Sequence, residues 1–259
     1  MFVNAVGYES FMGRWSRVLA PLLLEFARVR DGWQVLDVGS GTGSLALEIV
    51  QRKPNCSVIG IDPSPEYVAY ASSRVSSPAA TFEVGNAQSL AYPAGKFDAS
   101  LSLLALNFVP DPSRALMELK RVTRPAGCIC AAVWDYGGKM DMLRAFWNAA
   151  VALDSKAEPE DEKHMPLCRA GELQQMWNDA GLADVEEKPL EIATRFESFD
   201  DYWQPFLAGQ GPAGAHVTRL SPEHRLELCN KIKQLLPETS NSGSFELKAR
   251  AWAVRGTVR

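Results

Sequence analysis

The stretch "VLDVGSGTGS", Val35 to Ser44, constrains this chain more than any other. An apolar, β-branched run carries a carboxylate at Asp37 and then breaks into glycines at positions 39, 41 and 43. "TGSLALEIVQR" follows with helical spacing. A strand that feeds a helix through a glycine turn opens an α/β sheet, and ligands of such sheets sit outside the carboxyl ends of the strands. The turn matches neither common phosphate motif. Gly-x-Gly-x-x-Gly would need a glycine where the chain has Ser44, and a Walker loop would need a lysine that is absent. Asp37 would oppose a pyrophosphate and suit a cationic ligand. Asp62 closes the next apolar run, "SVIGID", 23 residues beyond Gly39. A carboxylate there can accept hydrogen bonds from both hydroxyls of a ribose.

The alternation continues along the chain. "ATFEVG", "FDASLSLL" and "CICAAVW" read as strands. "SPEYVAYASSRVSS" and "DPSRALMELKRVTRP" read as helices, with Ser64 and Asp111 as caps and Pro65 and Pro112 in the first turns. Tyr67, Val68, Ala71 and Val75 are spaced for one face of the first; Leu116, Leu119 and Val122 are spaced for burial in the second. Pro125 to Gly127 is expected to end that helix. Strands alternating with helices imply right-handed crossovers and a parallel sheet. In the second half, "MDMLRAFWNAAVAL" and "RAGELQQMWNDAGL" are helical, "DSKAEPEDEKH" is a charged loop, and "ADVEEKPLEIA" and "FELKARAWAVRG" are the last strands. The long segment between those strands, about 195–243, is expected to form a helical cap around a glycine-rich stretch, "GQGPAGAH". The expected organisation is a single domain over 1–259, with lid helices in 1–30, a cofactor-binding half at 33–135 and an acceptor-side half at 136–259.

Four segments taken in order, "VLDVGSGTG", "IGIDPS", "VGNAQSLAYPAGKFDAS" and "LKRVTRPAG", resemble the successive motifs of class I S-adenosylmethionine-dependent methyltransferases. The resemblance is continuous from Trp33 to Asp135, and the order of elements extends it to the C-terminus. It implies a Rossmann-like, doubly wound α/β fold: a seven-stranded, mostly parallel sheet whose antiparallel last strand lies between the fifth and sixth. It implies S-adenosyl-L-methionine as cofactor. Gly39, Ser40, Gly41 and Gly43, beside Asp37, would let backbone approach the methionine and ribose parts. Asp62, followed by Pro63, would hold the ribose; Asn86 and Ala87 would face the adenine. Leu103, Leu104 and on to Leu106 would lie along the methionine arm. The N-terminal "GYESFMGRWSRVLAPLL" would be a lid, with Tyr8 or Ser16 near the methionine carboxylate and Met12 or Trp15 walling the sulfonium. An amphipathic helix docked on the sheet is the competing reading of the same residues. The chain is distantly similar to ubiquinone/menaquinone biosynthesis methyltransferases, but "FMGRWSR" lacks the histidine–arginine pair of their lid.

Composition narrows the partners. The net charge of −4 leaves no basic excess for a nucleic-acid backbone. The start of the chain has no signal-peptide pattern and no apolar run suits a membrane span, so a cytoplasmic protein that needs no membrane is expected. Five scattered cysteines have no zinc spacing, and no metal is expected. The acceptor is expected to be a small molecule. Methyl transfer needs a base only when the attacking atom must lose a proton; Asp135, Tyr136 and His164 are the candidates. Trp134, Tyr136, Phe146, Trp147, Trp177, Trp203 and Phe206 either line an acceptor pocket or form the cores of their own helices. Two alternatives remain at this stage: a nicotinamide-dependent oxidoreductase, which Ser44 and Asp37 disfavour, and a non-catalytic S-adenosylmethionine-binding protein. The identity of the acceptor atom and the oligomeric state are not written in the residues.

Overall fold

A computed structural model describes residues 5–237 and 243–259. The first four residues of the expected lid and residues 238–242 of the expected cap lie outside the described residues. Seven strands form one sheet: β1 (Gln34–Val38), β2 (Ser57–Asp62), β3 (Ala80–Val84), β4 (Phe97–Leu103), β5 (Thr123–Trp134), β6 (Ala183–Phe196) and β7 (Phe245–Thr257). Their order is β3-β2-β1-β4-β5-β7-β6. The pairs from β3 through β5 are parallel, and β7 runs antiparallel to β5. This is the doubly wound Rossmann-like sheet expected from the sequence. The chain builds outward from β1 to β3, then returns to place β4 on the other side of β1. The strand order therefore reverses between β1 and β4, the place where ligands of open α/β sheets bind.

By internal contacts the chain divides into two compact units. One joins Gly13–Trp134, Pro166–Leu190 and Ala251–Arg259. In it, α2 (Arg14–Ala27) packs on α3 (Ser44–Arg52) and on β4 and β5, while α4 (Pro65–Arg74) packs on β3. Ser64 and Asp111 cap α4 and α5 (Pro112–Val122) as expected, accepting from Tyr67 N and Arg114 N. Leu116, Leu119 and Val122 are buried in α5, whereas in α4 only Ala71 is fully buried. β5 begins at Thr123, directly after α5, so Pro125 to Gly127 lie within the strand and not in a terminating loop. The register against β4 shifts there, between Phe97 and Ala99, and Ala126 takes a φ of 61°. A bulge absorbs the residues that periodicity assigned to a helix end. In α7 (Glu172–Asp179), Trp177 is fully buried and donates from its indole to Ile129 O at 3.2 Å.

The other unit joins the described part of Met1–Met12 with Asp135–Met165 and Glu191–Arg250. Its core is aromatic. Phe206, on α8 (Phe199–Leu207), stacks on Phe146 of α6 (Asp141–Leu153) at 4.8 Å, and Phe11 meets Phe206 edge-on at 5.0 Å. Tyr202 Oη donates to Met142 O. The glycine-rich stretch is not a loop: Gly211–Arg219 form α9, and α10 (Pro222–Leu235) follows. Gly214 is needed there, because a Cβ would lie 2.6 Å from the Gly209 carbonyl carbon. The charged segment also differs from expectation. It forms two short 3-10 turns, Ser155–Glu160 and Glu162–His164, and the junction between them is buried. Arg144 forks onto Asp161, and the Trp147 indole donates to Glu162.

Burial pushes the Glu162 carboxyl up to about 7, against the indole bond that favours its charged form. The fold thus prefers the protonated acid, while the unfolded chain ionises near pH 4.5. That contribution is complete below pH 4.5 and is lost as pH rises to about 7. Glu162→Gln keeps an acceptor for Trp147 and cannot ionise. Its stability relative to the native chain should rise by about 3 kcal/mol between pH 4.5 and 7, read by urea unfolding at several pH values. A gap that stays flat across that range would remove Glu162 as the titrating group.

Candidate functional site

The glycine turn sits at the switch point, between the end of β1 and α3. Gly39, Gly41 and Gly43 all have positive φ, at 71°, 52° and 88°. They owe their place to different causes. A Cβ on Gly39 would lie 2.2 Å from the Ala105 Cβ, in the segment after β4. A Cβ on Gly43 would press on Phe82 and Ala71 at 3.1–3.2 Å. Over Gly41 there is open space, with only the Gly39 carbonyl 4.0 Å away. Gly41 is therefore the point where a ligand can approach the backbone.

Four N–H groups of the turn do not point outward as an anion cradle. Gly39 N and Ser40 N both donate to Ile61 O at 2.9 Å, and Gly43 N donates to Ser40 O. Gly41 N donates to Asp62 Oδ2 at 3.0 Å, and Ser64 N to Asp62 Oδ1 at 2.9 Å. The turn is stitched to the end of β2, and the N–H groups of Gly39, Ser40, Gly41 and Gly43 are all spent within the protein. What remains available is acceptor capacity: each Asp62 oxygen keeps a further lone pair.

Asp37 is buried among the last residues of β1. Its Oδ2 accepts from Ala46 N at 3.2 Å in the first turn of α3, while its Oδ1 is buried and has no partner. Burial, with a smaller push from Asp62, raises its carboxyl to about 7. Asp62 is raised too, mainly by burial, against the two backbone bonds that favour its charged form. Ser40 Oγ and Ser44 Oγ are likewise buried without partners. Unpaired buried oxygens are costly unless something else binds them. This donor and acceptor set suits a hydroxyl-bearing or cationic ligand and not a polyphosphate.

The second wall follows β4. Leu103 and Leu104 are buried, and Leu104 has a φ of 62°, a left-handed conformation rare for leucine. Its N–H donates to Ala132 O, which fixes the chain as it turns off the sheet. Ala105 then meets Gly39, and Leu106–Phe108 make one 3-10 turn. Asn107 in that turn is buried, and neither its Oδ1 nor its Nδ2 has a partner. The sequence reading did not name Asn107. The available signal was an amide inside the apolar run "LLALNF".

The other candidates fall in different surroundings. Asn86 is exposed, and its side-chain oxygen accepts from Gln88 N at 2.9 Å, closing a local turn. Asn86 and Ala87 follow β3 at the same end of the sheet, and exposed Pro63 follows Asp62. Trp15 and Ser16 lie buried on α2, in the unit that holds the glycine turn. Half-buried Tyr8 and buried Met12 belong to the other unit, with Asp135, Tyr136 and His164. Tyr8 ends α1 (Ala5–Tyr8), and Glu9–Gly13 form a π turn. The wider i→i+5 spacing means that the α-helical face assumed for Tyr8, Met12, Trp15 and Ser16 does not run unbroken through this segment. Asp135 is buried and tied: its Oδ2 takes the Arg250 guanidinium and its Oδ1 accepts from Gly138 N. Tyr136 is buried, and exposed His164 pairs with Glu158 at 2.9 Å. Trp134, Phe146, Trp147, Trp177, Trp203 and Phe206 are all buried.

Residues 36–131, which contain the glycine turn, Asp62 and the segment after β4, match the family model described as a methyltransferase domain. Those residues are similar to a methyltransferase domain, and they build the central strands of the sheet. An uncharacterized protein of Mycobacterium tuberculosis is 34% identical over 122 residues, covering 46% of this chain and 44% of that protein. The ubiquinone/menaquinone biosynthesis C-methyltransferase of Geobacter sulfurreducens is 34% identical over 119 residues, covering 44% of this chain and 45% of its own. The matches span less than half the length of these relatives. Phosphoethanolamine N-methyltransferase 2 of Haemonchus contortus has been solved with phosphomonomethylethanolamine and S-adenosylhomocysteine. It superposes with a TM-score of 0.61 at 15% identity, covering 98% of this chain and 56% of that one. At that identity the two share a fold. Among the described residues no helix is long and apolar enough to cross a membrane, and no group of three metal-ligating side chains gathers.

Proposed function

We propose that this chain transfers a methyl group from S-adenosylmethionine to a small organic acceptor. The observation that carries the reading is the inward stitching of the glycine turn. The N–H groups of Gly39, Ser40, Gly41 and Gly43 are spent on Ile61, Asp62 and Ser40, so these four offer nothing to a pyrophosphate. Two buried carboxylates and an open approach over Gly41 remain. That surface fits a nucleoside with free hydroxyls and a positive charge, and it disfavours a nicotinamide dinucleotide. When bound, S-adenosylmethionine supplies a methyl group already activated by sulfonium.

The chain's own part is to bind, align and keep water out. Asp62 accepts from the ribose hydroxyls through its remaining lone pairs. Gly41 lets the ligand reach the backbone, and buried Leu103 and Leu104 give the methionine arm an apolar wall. The residues after β3, Asn86 and Ala87, take the adenine edge, the amide oxygen of Asn86 sharing itself with Gln88 N. In-line displacement demands no protein base unless the acceptor must lose a proton. Asp135 and His164 are both held by charged partners, so alignment is assigned the larger part. The half of the chain after β5 sets the acceptor. The ubiquinone/menaquinone enzyme is matched over less than half of either chain, so quinones enter only as one class to screen.

Calorimetry with S-adenosylhomocysteine and with NAD tests the cofactor. S-adenosylhomocysteine should bind and NAD should not; tight binding of NAD alone would end the proposal. Asp62→Ala should weaken S-adenosylhomocysteine by about 1–3 kcal/mol, since it removes a charged acceptor from two hydroxyls. An unchanged dissociation constant would remove Asp62 from the ribose. A methyl-release screen over phenols, quinones, amines and thiols tests the acceptor class, and a uniformly negative screen with intact cofactor binding would favour a non-catalytic binding protein.

A further inference from the structure

We propose that Phe82 is a positioning residue for the glycine turn, acting on the ligand only through the turn; the inference rests on the S-adenosylmethionine reading above. Three strands share one register here. Asp37 of β1 pairs with Gly60 of β2, and Gly60 pairs with Phe82 of β3. Residues paired this way in parallel strands present their side chains on one face of the sheet. That face carries α3, since Asp37 Oδ2 accepts from Ala46 N in its first turn. Gly60 leaves the middle place of the row empty, and the half-buried Phe82 ring leans into it. A Cβ on Gly60 would lie 2.5 Å from Phe82 Cδ1, 2.7 Å from its Cε1 and 2.9 Å from Ser40 Cβ. The tip of the same ring reaches the turn, where a Cβ on Gly43 would lie 3.1 Å from Phe82 Cζ.

Two glycines thus make room for one ring. Gly43 has a φ of 88°, so its backbone asks for glycine on separate grounds. Gly60 has no positive φ, and a glycine inside a strand weakens the strand and marks a close approach. What approaches Gly60 is Phe82. The turn is braced in two halves. Gly39, Ser40 and Gly41 are bonded to Ile61 and Asp62 at the end of β2. Beyond them, Arg74 Nη1 of α4 donates to Thr42 O at 2.9 Å, and the Phe82 ring lies against Gly43 from β3. An aromatic ring is large and rigid, so it fixes how far this second half can settle toward Gly60. Without the ring, Gly43 and the start of α3 sink into the vacant place. Gly41, over which the ligand approaches, moves with them.

Three measurements on the full chain test the brace. In calorimetry, Phe82→Ala should weaken S-adenosylhomocysteine roughly 10-fold, the equivalent of about one misplaced hydrogen bond, and Phe82→Leu should recover most of that loss. In amide hydrogen exchange without ligand, Phe82→Ala should speed Gly43 and Leu47, which donate to Ser40 O and Gly43 O, more than Leu104, which donates to Ala132 O. In urea unfolding, Gly60→Ala should lower the midpoint of the native chain, yet leave that of Phe82→Ala unchanged or raised, because the ring's place is then vacant. Phe82→Val provides the same comparisons should the alanine variant fail to fold. Native affinity in folded Phe82→Ala, uniform acceleration of exchange, or an equal midpoint loss from Gly60→Ala in both backgrounds would overturn the assignment and leave the cofactor reading standing. A native chain that does not bind S-adenosylhomocysteine would instead overturn the cofactor reading beneath it.

Discussion

Gly39→Ala should destabilise the chain by about 2–4 kcal/mol and disrupt the ligand turn with it. Two costs add. The new Cβ would lie 2.2 Å from the Ala105 Cβ, far inside contact distance, and neither backbone is free to retreat. Gly39 N is bonded to Ile61 O, and Leu104 N beside Ala105 is bonded to Ala132 O. Gly39 also has a φ of 71°, which is strained for alanine. The two parts separate in a double-mutant cycle. Ala105→Gly removes the clash but not the strain, so the double variant should recover all but about 1 kcal/mol. Gly41→Ala gives the contrast: φ is 52° but nothing stands in the way, so stability should fall by only about 1 kcal/mol while S-adenosylhomocysteine binding weakens. Urea unfolding decides it. Equal stability losses at Gly39 and Gly41, or no rescue by Ala105→Gly, would refute the contact across the switch point.

Asp37 should make stability fall as pH rises from about 4 to about 7. Burial raises its carboxyl from 3.8 to about 7, so the folded chain holds the proton after the unfolded chain has lost it. The stabilising contribution is full below pH 3.8, declines through the interval and is gone above about 7. Asp37→Asn keeps an oxygen for Ala46 N and cannot ionise. Its stability relative to the native chain should therefore grow by about 4 kcal/mol across the interval and then level off. Unfolding titrations of the two proteins from pH 4 to pH 8 measure the gap. A gap that shrinks with pH would mean that Asp37 is ionised in the fold and paired with something else.

Much of the sheet was legible because its signals are local. The runs around Val35 and Val58 are too apolar and too short for helices, and Ser64-Pro65 and Asp111-Pro112 announce helix starts. Caps and first-turn prolines act within three or four residues of themselves, and the structure places them as read. Three segments were less legible. "GQGPAGAH" looked like a linker because glycine is a poor helix former, yet α9 packs on α8 and α6 and packing outweighs propensity. "DSKAEPEDEKH" looked solvated because it is charged, yet Asp161 and Glu162 are buried against Arg144 and Trp147, residues 15 to 17 positions earlier. The π turn at Glu9–Gly13 carries no compositional mark at all.

The candidate site divides the same way. Asp37, Asp62 and the glycines could be named from their spacing, since each lies at a strand end that the pattern itself defines. Asn107 could not, because an asparagine after a strand is ordinary until its neighbours are known.

The amino-acid order alone determined the alternation of strands and helices, the glycine turn at the end of β1 and the carboxylate at the end of β2. Each depends on residues close together in the chain. Only the tertiary structure decided that four of the turn's N–H groups face inward, that Gly39 is glycine because of Ala105, and that Asn107 is buried without a partner. Those facts depend on which distant segments meet across the switch point, and burial and hydrogen-bond satisfaction are properties of that meeting and not of any one segment.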